Sequence, residues 1–547
     1  MPYPLLTLIG LPLVGTICCL LSPRHRPALA TVIATVFAAA ELAWLIMLWL
    51  TATSRASGFA YAAQYEWLPE FGLQFDLRLD GLNFYPLCVA TLVLLVSLVV
   101  SRDENPDRQQ RLFATAPRQL SATLLLLQGS LAAVFLSLDV VLFAALCQLT
   151  LIILFFLLGA DADTDTDGGK QRRAMAVRFA LFNLVGTSSL LFGGLILKSR
   201  AAQSGLSGSA LDLQGMSMPF EIEAWVLVSF FICFAIQMPL VPFHGWFADV
   251  CAAAPRWTSI LIVGSWSVVG VYGIIRFCLP LFPQAVALFA GAAAVAAVLS
   301  ALYGGLLALV QHENRRRIAW ACISGNGILL LSICSSTLQG VHGSIAHLSS
   351  HGLSRAALLL LAVILAERAG SRRGTDIGGL EEGEGRSVAA GFRRIPLLAS
   401  CWLIATLAFI GFPGSAGFPG HLLIFSGAIS SGQTLAAAGV IVGFAITSFA
   451  LMAMFHRLCA HAAAAASAAV DLRRHYALAL LPALALLLWV GLFPGTLLFD
   501  GTEQIAERAG ALVRDCLPNL SPDISPDLSG GPAQQSASSV TALEGGS

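Results

Sequence analysis

Charge is what this chain has least of. Of its 547 residues only 11% are Asp, Glu, Lys or Arg, and lysine occurs just twice, at Lys170 and Lys198. Soluble domains carry about 25% charge, so a water-exposed globular surface is excluded. Paired cysteines are missing as well. The twelve cysteines are scattered, with no CxxC pair and no His/Cys ligand spacing, which excludes a sequence-coded zinc or iron–sulfur site and leaves them as small buried apolar residues. Neither a GxGxxG nor a Walker loop is present, so no nucleotide or redox cofactor is implied in this chain, and no metal.

What is present is hydrophobic length. The chain is 57% hydrophobic with a strongly positive mean hydropathy, and runs of about 20 apolar residues recur, each able to cross a ~30 Å hydrocarbon layer as a helix. The runs lack the alternation of a barrel, and a backbone in lipid must satisfy its own hydrogen bonds, so the expected class is all-α integral membrane. Spans are expected near 4–22, 28–52, 83–101, 120–137, 140–159, 177–197, 224–243, 257–280, 284–310, 317–335, 342–366, 396–430 (broken), 435–456 and 475–499, roughly fourteen by the length rule. The first run lacks a cleavage-like site and reads as a retained helix. Placing the basic loops on one side gathers about 22 of the 31 Lys and Arg residues and makes that side cytoplasmic, with both termini on the outer side. The bacterial cytoplasmic membrane is the expected location.

Three segments interrupt the pattern. Residues 53–82 read as a short β or amphipathic piece on the outer face, 367–395 as a polar Gly-rich cytoplasmic loop, and the tail from 517 as disordered. The run Asp161–Lys170 only superficially resembles a calcium loop, because it lacks the bidentate Glu and flanking helices.

Two spans are broken by Pro and Gly. The first, "AIQMPLVPFHGWFADV" (235–250), places Pro239, Pro242 and His244 beside a glutamine, Gln237. The second, "FIGFPGSAGFPGHLLIF" (409–425), carries Pro413, Pro419 and His421. They stand five spans apart in order, the sequence trace of an inverted repeat whose broken helices line a site near the bilayer midplane. Proline removes a backbone donor and frees a carbonyl one turn earlier, tolerable at membrane depth only beside protein or water.

The stretches "QMPLVPFHGWFADVCAAAP", "VYGIIRFCLPLFP", "RRRIAW", "HGLSRAALLLLAVILAER" and "GFPGSAGFPGHLLIF" resemble the antiporter-like membrane subunits of respiratory complex I, within the Mrp-type antiporter superfamily. The similarity runs from Leu79 to Gly495. It implies three leading helices with an outer loop (1–115), a first repeat of helices 4–8 (116–281), a second of helices 9–13 (282–460), helix 14 with an amphipathic end (461–516) and the tail (517–547). It also implies a non-redox, proton-translocating subunit among similar membrane subunits and lipid. NADH, FMN, iron–sulfur clusters and quinone are then held by partner chains, with quinone not bound directly and no nucleic acid involved.

Against that resemblance the relay positions depart. A glutamate expected in the fifth helix meets Gln148, and lysines expected in the seventh and eighth meet Gln237 and, by gapless counting, Val268. A histidine expected in the tenth helix meets Gly325, and the acid after the second break meets His421. A buried acid lowers the cost of a buried ammonium, whereas two glutamines hydrogen-bond without carrying charge, so a Glu/Lys relay is impossible in the first unit.

Histidine remains as a proton carrier near neutrality. His347 and His351 lie four apart on one helical face, His351 within the HGLS motif, and His244 and His421 flank the breaks. The plainer reading is that each hydrogen-bonds a freed carbonyl or a neighbouring helix. Asp249 and Arg256 are expected to tie down the loop after the first break, and Arg178 and Arg276 to snorkel at cytoplasmic span ends. Arg355 has no evident counter-charge. Glu41, the one carboxylate near mid-span, is expected to pair with a neighbouring helix or subunit. Three functions stay open: a proton-translocating complex I subunit with conduction weakened or rerouted, a non-conducting paralogue bracing the membrane arm, and a subunit of a related cation/proton antiporter, hydrogenase or inorganic-carbon uptake complex.

Overall fold

A computed structural model of the chain describes residues 3–52, 59–68, 73–101, 117–159, 167–214, 216, 218–368, 393, 395–464 and 471–497. The tail lies outside them, the expected 367–395 loop almost wholly so, and of the calcium-like run only 167–170 are described, at the start of α6. The helices are α1 (Tyr3–Leu21), α2 (Pro27–Thr51), α3 (Gly81–Val100), α4 (Pro117–Leu136), α5 (Val140–Gly159), α6 (Asp167–Gln203), α7 (Phe220–Gln237) and α8 (Phe247–Ala253). They continue with α9 (Arg256–Leu281), α10 (Pro283–Val310), α11 (Asn314–Ser335), α12 (Leu338–Arg368), α13 (Pro396–Ile410), α14 (Gly417–Ser430), α15 (Thr434–Ala464), α16 (Arg474–Leu492) and the short α17 (Pro494–Leu497). Among the described residues thirteen helices are long and apolar enough to cross a membrane. The one expected span not among them, 396–430, is split into α13 and α14, neither of which reaches span length alone.

The segment between α2 and α3, expected on the outer face, is a two-stranded antiparallel hairpin, β1 (Tyr61–Leu68) and β2 (Leu73–Leu79), with Tyr61 opposite Leu79. Its last strand runs straight into α3, whose start is fixed by a capping box. Asp80 Oδ1 accepts from the Leu82 and Asn83 backbone N–H groups at 3.0 and 3.1 Å, and Asn83 Oδ1 accepts from the Asp80 N–H at 2.9 Å, satisfying donors that a helix start leaves orphaned.

Burial sorts the helices by position. From Trp257 to Leu281 α9 is entirely buried, and α11 and α12 are nearly so, while α1, α2, α6, α10, α15 and α16 are mostly uncovered. These outer helices present exposed apolar side chains such as Ile17, Val36, Val185, Leu299 and Phe449, as helices facing lipid or other membrane subunits must. Two π turns, Ile262–Trp266 and Ile274–Cys278, interrupt α9. Close helix contact in the second half depends on glycine: a Cβ on Gly305 of α10 would lie 2.4 Å from the Gly443 carbonyl oxygen of α15, and one on Gly443 would lie 2.5 Å from the Ala301 carbonyl carbon. Small residues let backbones approach where no hydrophobic effect drives helices together.

Ionic pairs mark the two ends, buried at one and exposed at the other. At the hairpin end, Arg276 of α9 donates from Nη2 to both Asp80 oxygens at 2.7 and 2.6 Å, and from Nε to the Tyr272 hydroxyl at 3.2 Å. The expectation that Arg276 snorkels is therefore corrected: it is 7% exposed at the hairpin end, because Asp80 supplies a buried counter-charge there. Nearby, Lys198 Nζ lies 3.6 Å from Asp139, which caps α5 through the Val141 and Leu142 N–H groups. At the other end Arg178 and Asp249 form an exposed ion pair, with Arg316 at 3.6 Å from Asp249.

Candidate proton path between the two broken helices

The first break follows Gln237. Pro239 and Pro242, the latter after a cis peptide, lack N–H groups, and the chain turns through 238–246 before α8 begins. Specific partners hold this irregular backbone. Asn326 of α11 donates from Nδ2 to the Met238 carbonyl at 2.8 Å and to the Pro239 carbonyl at 3.4 Å, and the Val241 N–H donates to Ser300 Oγ at 3.1 Å. Trp246, fully buried, donates from Nε1 to the Ile236 carbonyl at 3.1 Å and packs edge-on against Phe179. The His244 ring packs against Tyr303 and Trp320, with centroids 5.4 and 5.3 Å away. The loop after the break is tied by Arg315, whose Nη2 donates to the Ala254 carbonyl at 3.0 Å and to Ser259 Oγ at 2.9 Å. Asp249, expected to tie down this loop as a cap or ion pair, pairs with Arg178, and Arg256 stands at the start of α9.

The second break follows α13, which ends on Gly411 in the left-handed region at φ 70°. A Cβ there would be strained and would also lie 2.0 Å from His421 Nδ1; glycine makes room for the imidazole. Pro413 lies in the break and Pro419 in the first turn of α14, and the Ala416 N–H donates to the Leu487 carbonyl of α16 at 2.9 Å. His421, 6% exposed, packs against His347 of α12 with centroids 4.5 Å apart, and His347 against His351 at 4.4 Å. Phe444 and Phe409 flank the ends of this stack, 5.0 Å from His421 and 5.3 Å from His351. Both ring nitrogens of His347 and His351, and Nε2 of His421, have no hydrogen-bond partner among the described residues. Buried polar atoms rarely go unsatisfied, so these nitrogens mark where water or a moving proton belongs.

The two breaks are joined. One turn beyond His351 on the same face of α12, Arg355 is 2% exposed and donates from Nη2 to the Cys322 carbonyl at 2.8 Å and to Asn326 Oδ1. Asn326 in turn holds the carbonyls of the first break. A Cβ on Gly325 would lie 2.5 Å from His351 Cε1 and 3.5 Å from Arg355 Nη2. The expected histidine is thus replaced by a space that His351 fills. A continuous polar axis runs from Met238 and Pro239 through Asn326, Arg355, His351 and His347 to His421. Among the described residues no carboxylate pairs with Arg355.

Of the other expected positions, Gln237 is buried beside the Cys147 thiol of α5, with its amide atoms otherwise unpartnered. Gln148 is turned away: it is half-buried on the face of α5 that carries the exposed Leu149, Ile152 and Phe156. Phe143, one turn from Cys147, meets Phe234 of α7 at 6.2 Å, which fixes the facing side of α5. The two glutamines are therefore not brought together. Val268 is buried and packs over Gly352 of α12, where an added Cβ would approach its Cγ2 to 2.9 Å. Asn326 was missed by sequence reasoning; its signal was an amide inside an apolar span, in "SGNG", three spans after Gln237 had been noted in the same setting.

A family model described as "NADH:quinone oxidoreductase/Mrp antiporter, TM" matches residues 129–447. Among curated proteins the chain is 28% identical over 506 residues to NADH-ubiquinone oxidoreductase chain 4 of Chondrus crispus, covering 90% of this chain and 95% of that one. It is 28% identical over 458 residues to NADH-quinone oxidoreductase subunit M of Escherichia coli K12, covering 82% and 86%. Among solved structures it is similar to a chain of respiratory complex I from Thermus thermophilus with bound NADH, at a TM-score of 0.78 and 27% identity over 93% of this chain and 99% of that one. A chain of the Mrp complex from Dietzia sp. shares the fold at a TM-score of 0.74 and 19% identity, over 94% and 98%.

Proposed function

The chain belongs to the NADH:quinone oxidoreductase/Mrp antiporter family as an antiporter-like membrane subunit, and we propose that it moves protons in an NADH-quinone oxidoreductase through histidine rather than through a Glu/Lys relay. The observation that carries this reading is the His347–His351–His421 stack, in which both ring nitrogens of His347 and His351 and Nε2 of His421 lack protein partners, and which Arg355 and Asn326 join to the first break. Neutral imidazole accepts at one nitrogen and donates at the other, so water beside the stack can pass a proton along it by relay. The first unit contributes position instead of charge, since Gln237 and Gln148 cannot ionise. The chain itself performs no redox chemistry. Nicotinamide, flavin, iron–sulfur and quinone chemistry reside in partner subunits, and the chain lies in the cytoplasmic membrane with both termini on its outer side.

The complex is purified and reconstituted into liposomes, and protons moved per electron are measured. His351→Ala and His347→Ala lower that ratio while electron transfer to quinone continues; an unchanged ratio refutes the histidine route. A second reading has a specific observation in its favour. The uncharged Gln237 and the apolar Val268 suit a paralogue that braces the membrane arm without conducting, and the same unchanged ratio supports it. If no NADH- or quinone-handling chain co-purifies, the subunit belongs to a related assembly instead.

A further inference from the structure

We propose that Glu41 is a proton-binding carboxyl of its own, held as a neutral acid between α2, α3 and α4, outside both broken helices and independent of the histidine stack. Glu41 is 1% exposed. Its Oε1 accepts from Gln128 Nε2 of α4 at 3.0 Å, and the same amide donates to Thr91 Oγ1 of α3 at 2.8 Å. The Thr91 hydroxyl donates onward to the Leu87 carbonyl at 2.9 Å. Glu41 Oε2 and Gln128 Oε1 are buried with no partner among the described residues.

An ionised carboxylate presents about four lone-pair sites, and here it would meet one donor. Among the described residues no cation compensates. The sequences of α1 and α3 contain no charged residue, Glu41 is the only one in α2, and α4 carries only Arg118. Arg118 lies ten residues before Gln128, about 15 Å along the helix. Among the described residues the other titratable group facing the carboxyl is the Cys88 thiol of α3, which offers no positive charge. A bare buried carboxylate is far costlier than a neutral acid in such surroundings. With a proton on Oε2, the Oε1 carbonyl keeps its bond from Gln128 and the hydroxyl becomes a donor in a pocket whose orphaned atom, Gln128 Oε1, is an acceptor. The pattern of satisfied and unsatisfied atoms thus fits the acid and not its anion.

The test is infrared difference spectroscopy on the intact reconstituted complex, wild type minus Glu41→Gln, at neutral pH in H2O and D2O. A neutral-acid carbonyl stretch of one carboxyl per complex, lost in the variant and shifted by D2O, is expected. A pair of carboxylate bands in its place overturns the proposal, and their dependence on sodium would assign the orphaned oxygens to a cation. Gln128→Leu removes the donor to Oε1, so the acid band moves to higher frequency; an unmoved band refutes the hydrogen-bonded geometry. The His351→Ala variant, which abolishes the histidine route, leaves the Glu41 band in place.

Discussion

Replacing Gly325 with alanine tests the centre of the polar axis without touching a polar atom. The new Cβ would stand 2.5 Å from His351 Cε1 and 2.9 Å from Nε2, closer than carbon contacts allow, so the imidazole must swing out of the stack or the helices must part. Overpacking of this kind costs about 1–3 kcal/mol, while Gly→Ala inside a helix returns about 1 kcal/mol of propensity. The single variant should therefore range from near neutral to about 2 kcal/mol less stable, and its proton-to-electron ratio should fall with that of His351→Ala. In a His351→Ala background the clash has no partner, so the same substitution should become neutral or stabilising by about 1 kcal/mol. The resulting coupling of about 1–3 kcal/mol is read from a double-mutant cycle on thermal unfolding of the purified complex. Equal costs of Gly325→Ala in both backgrounds would refute the placement of His351 against α11.

Three further outcomes follow from the geometry. Asn326→Leu leaves the Met238 carbonyl and the Arg355 guanidinium short of a buried partner, each loss costing about 1–3 kcal/mol, and should lower the proton-to-electron ratio while quinone reduction persists in the same preparation. Arg276→Met strands Asp80 without its counter-charge and should destabilise the assembled subunit by about 3–5 kcal/mol, whereas the paired change with Asp80→Asn should recover much of it, as monitored by thermal unfolding. A Glu/Lys pair rebuilt in the first unit should work best as Cys147→Glu with Gln237→Lys, because Cys147 and not Gln148 faces Gln237. Gln148→Glu with Gln237→Lys should instead yield less assembled complex, measured as subunit recovered on purification.

The membrane spans were legible because their signal is local: a run of apolar residues long enough to cross lipid declares itself without reference to the rest of the chain. The breaks were legible for the same reason, since Pro239, Pro242, Gly411 and Pro413 act on their own backbone. His347 and His351 were legible as a pair through helical spacing. That His421 completes the stack was not, because 70 residues of chain and a second break intervene and only packing brings the rings together. Arg276 was misread for a similar reason. A lone arginine near a span end reads as snorkelling, and its partner Asp80 lies 196 residues earlier in sequence. Gln148 shows a subtler failure, in which matching by position found the residue but could not give the direction it faces. Glu41 was expected to pair with a neighbouring helix or subunit, and it accepts from Gln128 of α4. What sequence could not supply was that no cation among the described residues lies beside it.

The two π turns of α9 carry a consequence for tolerance to change. A deletion in a buried transmembrane helix ordinarily rotates every later side chain by about 100°, which in a helix enclosed on all sides would misplace an entire face. A π turn already contains one residue more than an α turn. Removing one residue from Ile262–Trp266 or Ile274–Cys278 converts that turn to ordinary α geometry and leaves the facing of both flanks unchanged. The most enclosed helix of the subunit thus has two points at which its length can shrink by a residue without losing phase, on either side of the stretch that carries Val268 and Tyr272.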